Sequence, residues 1–288
     1  MTLAQNPWLE RRVLAYAHQG GAREQPSSTL HAIRCALAAG ATGIELDVHA
    51  TADGELVVCH DATVDRTTNG TGAIALLTLE ELRRLDNAYW FVPGADARHD
   101  LAPSDYPLRG RAPEDPDFRV PTLREVLELC PGVVLNLDLK QTAPAAEPYE
   151  RLLAALLAEH GRHDDVIVAS FFDEATERFA RFAPDVPTSA GMHATAAFWR
   201  AVHGGEPVPR PRAVAFQVPE RFGEVVVVDE AFVEAAHAAG VAVHVWTVDD
   251  EAAMRRMVGL GVDGIMTDVP STLSRVLGEL GVLWSGLG

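Results

Sequence analysis

Short apolar runs alternate with helix-period segments along nearly the whole chain. The runs are "RVLAYAH" (12–18), "GIELDVHA" (43–50), "VVLNLDLK" (133–140), "VIVASF" (166–171), "TSAGM" (188–192), "AVAFQV" (213–218), "VAVHVWTV" (241–248) and "GIMTDVP" (264–270). Between them lie amphipathic stretches such as "SSTLHAIRCALAAG", "TLREVLELC", "YERLLAALLAEHG", "ATERFARFA" and "DEAFVEAAHAAG", several of which stop at glycine as helices commonly do. Continuous apolar runs joined by helices imply parallel strands covered on both faces. About eight such units predict an α/β chain folded as a TIM-type (β/α)8 barrel. The runs near 188 and 213 are the weakest. An open doubly wound sheet is the alternative, but no dinucleotide-binding glycine fingerprint follows any strand.

The alternation breaks once, after the second run. "GELVVCHD" reads as a further strand joined by a tight turn at Asp53 and Gly54. Residues 62 to about 120 then form an insertion. Thr78 and Glu81 make a capping box for a short helix, "LEELRRLD", and the rest is rich in proline, glycine and charge and therefore loop. A loop of this length in a compact domain suggests a flap over one barrel mouth, within a single domain spanning 1–288.

Composition narrows the partners. The 24 basic and 41 acidic residues give a net charge of −17, which disfavours nucleic acid and anionic membranes. An anionic substrate therefore needs a local cation. Cys35, Cys59 and Cys130 are far apart and match no zinc spacing, which fits reduced cysteines in a cytoplasmic protein. The start "MTLAQNPWLERRV" lacks a signal-peptide pattern, and no apolar run is long enough to span a bilayer. The tail "LGVLWSGLG" is expected to dock on the domain.

The chemistry gathers at strand ends. Glu45 and Asp47 are two apart on one strand, so their carboxylates share a face, as a hard cation such as Mg2+ or Ca2+ requires of oxygen ligands. Asp138 and Lys140 share a face of an otherwise apolar run, where charged residues are rarely buried unless paired. A barrel would bring Glu45, Asp47 and Asp138 to one mouth. The bland alternative is a structural Asp138–Lys140 ion pair. His18 and His60 each close an apolar run and suit acid–base cleavage of a phosphodiester, with a metal polarising the phosphoryl oxygens. His49 is left out as a nitrogen ligand for a hard ion, and Cys59 faces away from its neighbour His60.

The segments "AHQGG…PSST", "ATGIELDVHATADGELVVCHDATVDRTTNGTG", "PTLREVL", "LNLDLK", "VHVWTVD" and "GVDGIMTDVP" resemble, in order, the glycerophosphodiester phosphodiesterase family, from roughly residue 13 to residue 274. The resemblance implies a barrel with a small insertion after the second strand. It implies a divalent metal held by Glu45, Asp47 and Asp138, catalytic histidines at His18 and His60, and a phosphate-contacting lysine at Lys140. It also makes Trp246 an apolar wall of the pocket, a role balanced by ordinary core packing. Three positions depart from the family pattern. Gln19 stands where the family has arginine, Ser27 where it has glutamate, and Asp138 where it has glutamate. Gln19 can still bind a phosphate oxygen, at a loss on the order of 1 kcal/mol.

The expected function is metal-dependent hydrolysis of a small-molecule glycerophosphodiester to glycerol 3-phosphate and an alcohol. One alternative is a lysophospholipase D-type or cyclising reaction on lysophospholipids, and another is a phosphodiester-binding barrel without activity. The insertion's polar sequence points to small diesters.

Overall fold

Each of the eight apolar runs forms a strand of one sheet. The computed structural model describes residues 6–9, 13–140 and 149–284. The strands are β1 (Leu14–His18), β2 (Gly43–Ala50), β3 (Leu56–Val58), β4 (Val134–Leu139), β5 (Val166–Ala169), β6 (Ser189–Ala190), β7 (Ala215–Pro219), β8 (Arg221–Phe222), β9 (Val225–Val226), β10 (Ala242–Trp246) and β11 (Gly264–Thr267). The parallel order is β5-β4-β2-β1-β11-β10-β7-β6, with β3 antiparallel to β2 and a separate β8–β9 hairpin. A lone parallel bridge, Val168 to Thr188, closes the ring between β5 and β6. The result is a nearly closed eight-stranded parallel barrel.

Helices α1 (Leu30–Ala38), α2 (Leu79–Leu82), α3 (Leu123–Leu129), α4 (Tyr149–Glu159), α5 (Asp173–Phe182), α6 (Met192–Gly204), α7 (Glu230–Ala238), α8 (Glu251–Leu260) and α9 (Pro270–Leu280) alternate with the strands. Their apolar faces pack on the outer residues of the barrel in two clusters. One is centred on Ile44, Leu46, Leu135 and Leu137, the other on Phe216, Val243, Val245 and Ile265. Inside the barrel Leu14, Tyr16, Val134, Ile167 and Met266 fill the lower layer, with Trp8 and Trp284 buried against them. Tyr16 explains two strand glycines. A Cβ on Gly43 would lie 2.7 Å from its ring, and one on Gly264 would lie 3.1 Å from it and 2.8 Å from the ring of His244. Only glycine lets the neighbouring strands pass so large a side chain.

The tail docks as far as Trp284, whose N–H donates to the Val13 carbonyl at 3.1 Å; residues 285–288 lie outside the described residues. The Thr78–Glu81 capping box is present, but α2 ends at Leu82 rather than continuing to Asp86. The Arg84 and Leu85 amides donate three residues back, which tightens the chain out of the α-helix. β3 likewise stops at Val58, so His60 stands on the loop beyond the strand rather than at its end.

The insertion is irregular yet built around a core. The Arg109 guanidinium lies 3.8 Å from the Tyr106 ring centre and 4.1 Å from that of Tyr89. It is fastened to the β1–α1 side of the mouth. Asn87 Nδ2 donates to the Ser27 and Ser28 carbonyls, and Arg34 pairs with Asp117 at 2.8 Å.

Candidate active site

Inward-facing positions of β1, β2 and β4 put His18, Glu45, Asp47 and Asp138 at the C-terminal mouth of the barrel, and Lys140 joins them one residue past the end of β4. The registers Glu45–Asn136 and Asp47–Asp138 set the carboxylates side by side across adjacent strands. His60 joins them from the loop after β3, its ring centre 6.4 Å from that of His18. All six line one cavity of about 530 Å3, as does Trp246 from the end of β10.

Glu45, Asp47 and Asp138 are all buried. Burial pushes the Glu45 carboxyl up to about 8, and neighbouring Asp47 adds to the rise. Asp138 is raised to about 6, again by burial first, with Lys140 opposing. Lys140 Nζ lies 2.8 Å from Asp47 Oδ1 and 2.6 Å from Asp138 Oδ2, and these acids more than offset the burial that would lower its pKa. The ammonium thus bridges two carboxylates. Asp47 Oδ2 has no hydrogen-bond partner. A buried carboxylate oxygen left bare is costly.

The donor set is all oxygen, the chemistry a hard divalent cation takes. With the lysine between Asp47 and Asp138, no group of three or more histidine, cysteine, aspartate or glutamate side chains among the described residues is spaced to hold an ion.

Each histidine is held through Nδ1 by a carboxylate. His18 Nδ1 donates to Asp268 Oδ1 at 2.6 Å, and His60 Nδ1 donates to Asp61 Oδ1 at 2.6 Å. Burial alone would lower His18, but Glu45, Asp268 and Asp47 outweigh it and raise the imidazole to about 9. Asp61 is held well below the usual carboxylate range, chiefly by His60 and then by Arg66. Arg66 Nε donates to Asp61 Oδ2 at 2.8 Å, and its other end pairs with Asp96 of the insertion. Ser27 hydrogen-bonds that same Asp96. A relay therefore runs from Ser27 through Asp96, Arg66 and Asp61 to His60. Asp268 is itself steadied by Asp249, whose Oδ1 accepts the Asp268 amide at 2.8 Å.

Asp61, Arg66, Asp96, Asp249 and Asp268 are not singled out by the strand-end logic. The available signal was an acid directly after His60 and another directly after the last strand, each within reach of a histidine only once the barrel closes.

Gln19 is buried in a left-handed backbone conformation (φ 52°), and its side-chain Nε2 lies 3.3 Å from His18 Nε2. Its amide N–H donates to the Glu45 carbonyl at 2.9 Å. The side chains of Gln19 and Ser27 thus face different partners. His49 Nε2 lies 3.4 Å from the His60 carbonyl and supports that loop. Cys59 is buried and its thiol is pushed up to about 12 by burial, so it offers no nucleophile.

The far wall of the cavity is apolar. Phe171, Met192, Trp199, Phe222 and Val225 line it with Trp246, whose ring centre is 5.6 Å from that of Phe171. No residue of the insertion between 62 and 120 lines the cavity.

The family model described as "Glycerophosphoryl diester phosphodiesterase family" matches residues 18–272. The chain is 32% identical over 264 residues to a glycerophosphodiester phosphodiesterase of Caldanaerobacter subterraneus subsp. tengcongensis, covering 91% of this chain and 96% of that one. It is 29% identical over 272 residues to a glycerophosphodiester phosphodiesterase of Bacillus subtilis, covering 92% and 86%. Among solved structures, a putative glycerophosphoryl diester phosphodiesterase from Silicibacter pomeroyi DSS-3 superposes with a TM-score of 0.71 at 26% identity, covering 96% of each chain.

Proposed function

The chain belongs to the glycerophosphoryl diester phosphodiesterase family and is a phosphodiesterase, and we propose that it hydrolyses a glycerophosphodiester to glycerol 3-phosphate and an alcohol by histidine acid–base catalysis. The observation that carries this reading is the pair of histidines facing each other beside the acidic cluster, each with Nδ1 committed to a carboxylate. That commitment turns both Nε2 atoms to the cavity.

A water oxygen bonds to phosphorus as the phosphorus–alcohol oxygen bond breaks. One imidazole takes the water proton while the other protonates the departing alkoxide. Lys140 supplies fixed positive charge beside the phosphodiester, and Gln19 supplies a neutral amide where the family carries a guanidinium. Glu45, Asp47 and Asp138 would hold a divalent cation, Mg2+ or Ca2+, with Lys140 drawn out from between Asp47 and Asp138; their oxygen-only chemistry and the bare Asp47 Oδ2 support this. Such an ion, when bound, polarises the phosphoryl oxygens.

The strongly acidic charge supports a small-molecule partner over nucleic acid. No helix among the described residues is long and apolar enough to cross a membrane. The three cysteines are unpaired, which supports a reducing, cytoplasmic setting.

The test is release of glycerol 3-phosphate from glycerophosphocholine by purified protein, with Mg2+ or Ca2+ and then with EDTA. Release that is metal-dependent and lost in His18→Ala and His60→Ala supports the reading. No release above those variants overturns it for that substrate.

A further inference from the structure

The two histidines are not secured in the same way. His18 sits in the β1 ladder opposite Glu45 of β2, and its side chain is 19% exposed. His60 stands on irregular chain beyond β3, and its side chain is 42% exposed. Strand pairing therefore aims the first ring, while the second takes its direction from whatever holds Nδ1. That holder, Asp61, leans in turn on Arg66 at 2.8 Å. The carboxylate at the far end of Arg66 is Asp96, from the middle of the insertion.

Asp96 closes a tight turn over residues 91–97. Phe91 and Ala97 pair across an antiparallel bridge, and the Val92 amide donates to the Asp96 carbonyl at 3.0 Å. The backbone is left-handed at Gly94 (φ 87°) and again at Asp96 (φ 46°). Glycine meets that demand freely, whereas aspartate meets it under strain. Position 96 thus carries a residue that its backbone does not favour, and the contact made by its carboxylate offsets the strain.

The turn also has a firm footing on the loop between β1 and α1. The Gly94 amide donates to the Arg23 carbonyl at 2.6 Å, and Arg23 Nε donates to the Gly94 carbonyl at 3.1 Å. The Arg23 amide is itself committed to the Asp268 carbonyl at 3.1 Å. From the same loop, the buried Ser27 side chain hydrogen-bonds the Asp96 carboxylate. Asp96 is held from two sides, and it does not line the cavity.

Resting on the acid–base hydrolysis proposed above, we infer that Asp96 is a positioning residue for His60: docked on the loop between β1 and α1, it fixes Arg66, which fixes Asp61, which aims the imidazole. Asp96 touches no substrate, so its contribution falls on the chemical step and not on binding. Without its carboxylate Arg66 loses one of its two anchors, and the His60 ring spends less time in the reactive orientation. The insertion reaches the chemistry in this way without covering the mouth.

A double-mutant cycle tests this, run on whichever of glycerophosphocholine, glycerophosphoethanolamine and glycerophosphoglycerol the parent cleaves fastest, with saturating Mg2+ or Ca2+. Asp96→Gly removes the carboxylate and relieves the backbone. It is expected to lower kcat about 5- to 20-fold and to leave KM within about twofold of the parent. Added to Asp61→Ala, it is expected to lower kcat by no more than about twofold further, because the link through which Asp96 acts is already gone. Asp96→Asn keeps the shape and removes the charge. It is expected to follow the same cycle with a fall of about 3- to 10-fold, and it decides the matter if Asp96→Gly loses its cooperative thermal transition.

An unchanged kcat, a loss confined to KM, or losses that multiply in the Asp61→Ala background overturn the inference and leave the hydrolytic function standing. Absence of metal-dependent cleavage of all three substrates by the parent overturns the hydrolytic function itself, and this inference with it.

Discussion

Replacing Asp268 by asparagine removes one charge and almost no volume, at a position whose backbone is pinned by Asp249. The partner it loses is specific: His18 Nδ1 at 2.6 Å, with both side chains 19% exposed. Hydrogen bonds to a charged group are worth about 1.5–3 kcal/mol and neutral ones about 0.5–1.5, so Asp268→Asn should cost about 1–2 kcal/mol of transition-state stabilisation. That converts to a fall of about 5- to 30-fold in kcat/KM. Asp268→Ala removes the bond entirely and should cost about 10- to 150-fold. The assay is the initial rate of glycerol 3-phosphate release with saturating divalent ion, with thermal unfolding as the check that the barrel is intact. The reasoning fails if Asp268→Asn stays within about twofold of the parent, or if alanine and asparagine cost the same, since the carboxylate would then not be what aligns His18.

Other expectations follow from the same contacts. Lys140→Met leaves Asp47 and Asp138 buried without their ammonium and should lose about 3 kcal/mol or more in EDTA, with Ca2+ or Mg2+ restoring more stability to the variant than to the parent; urea unfolding reads both. Gln19→Arg should not raise kcat/KM. The new guanidinium would enter a buried site beside the imidazole of His18, Ser27 offers no carboxylate, and Asp96 behind it is already engaged by Arg66; a tenfold gain would contradict this. Because Asp61 is held below its ordinary pKa, its contribution to stability is complete above the unfolded-state value near 4 and is lost as pH falls. Asp61→Asn should therefore trail the parent by about 1 kcal/mol at neutral pH after solvent screening. The gap should shrink toward pH 3.5, and thermal melts at the two pH values would show a widening instead if the sign were wrong.

The barrel was legible because parallel strands covered on both faces must be written as continuous apolar runs, and the intrusions into those runs marked the site. Glu45, Asp47, Asp138 and Lys140 each break an apolar strand, and each lines the cavity. What periodicity could not convey was pairing between distant segments. Asp268 meets His18 across 250 positions of sequence, and Asp96 reaches Arg66 from a loop with no regular pattern. The insertion drew attention through its length and polarity, yet the cavity's outer wall comes from Phe171, Met192 and the β8–β9 hairpin. As isolated residues in short stretches, they carried no periodic signal to distinguish them from ordinary surface.

The single bridge between β5 and β6 has a consequence for how such an enzyme can diversify. Reacting groups hang from β1, β2, β4 and the loop after β3, and β2 and β4 share a register of six residue pairs. The apolar wall hangs from the other arc, where β6 contributes two residues and the ring is barely stitched. Loops there can lengthen, shorten or be exchanged while few ladder bonds that aim the histidines are disturbed. Inheritance can therefore revise what enters the mouth without re-inventing what happens to it, and a transplant of residues 170–227 between relatives would move appetite and leave chemistry in place.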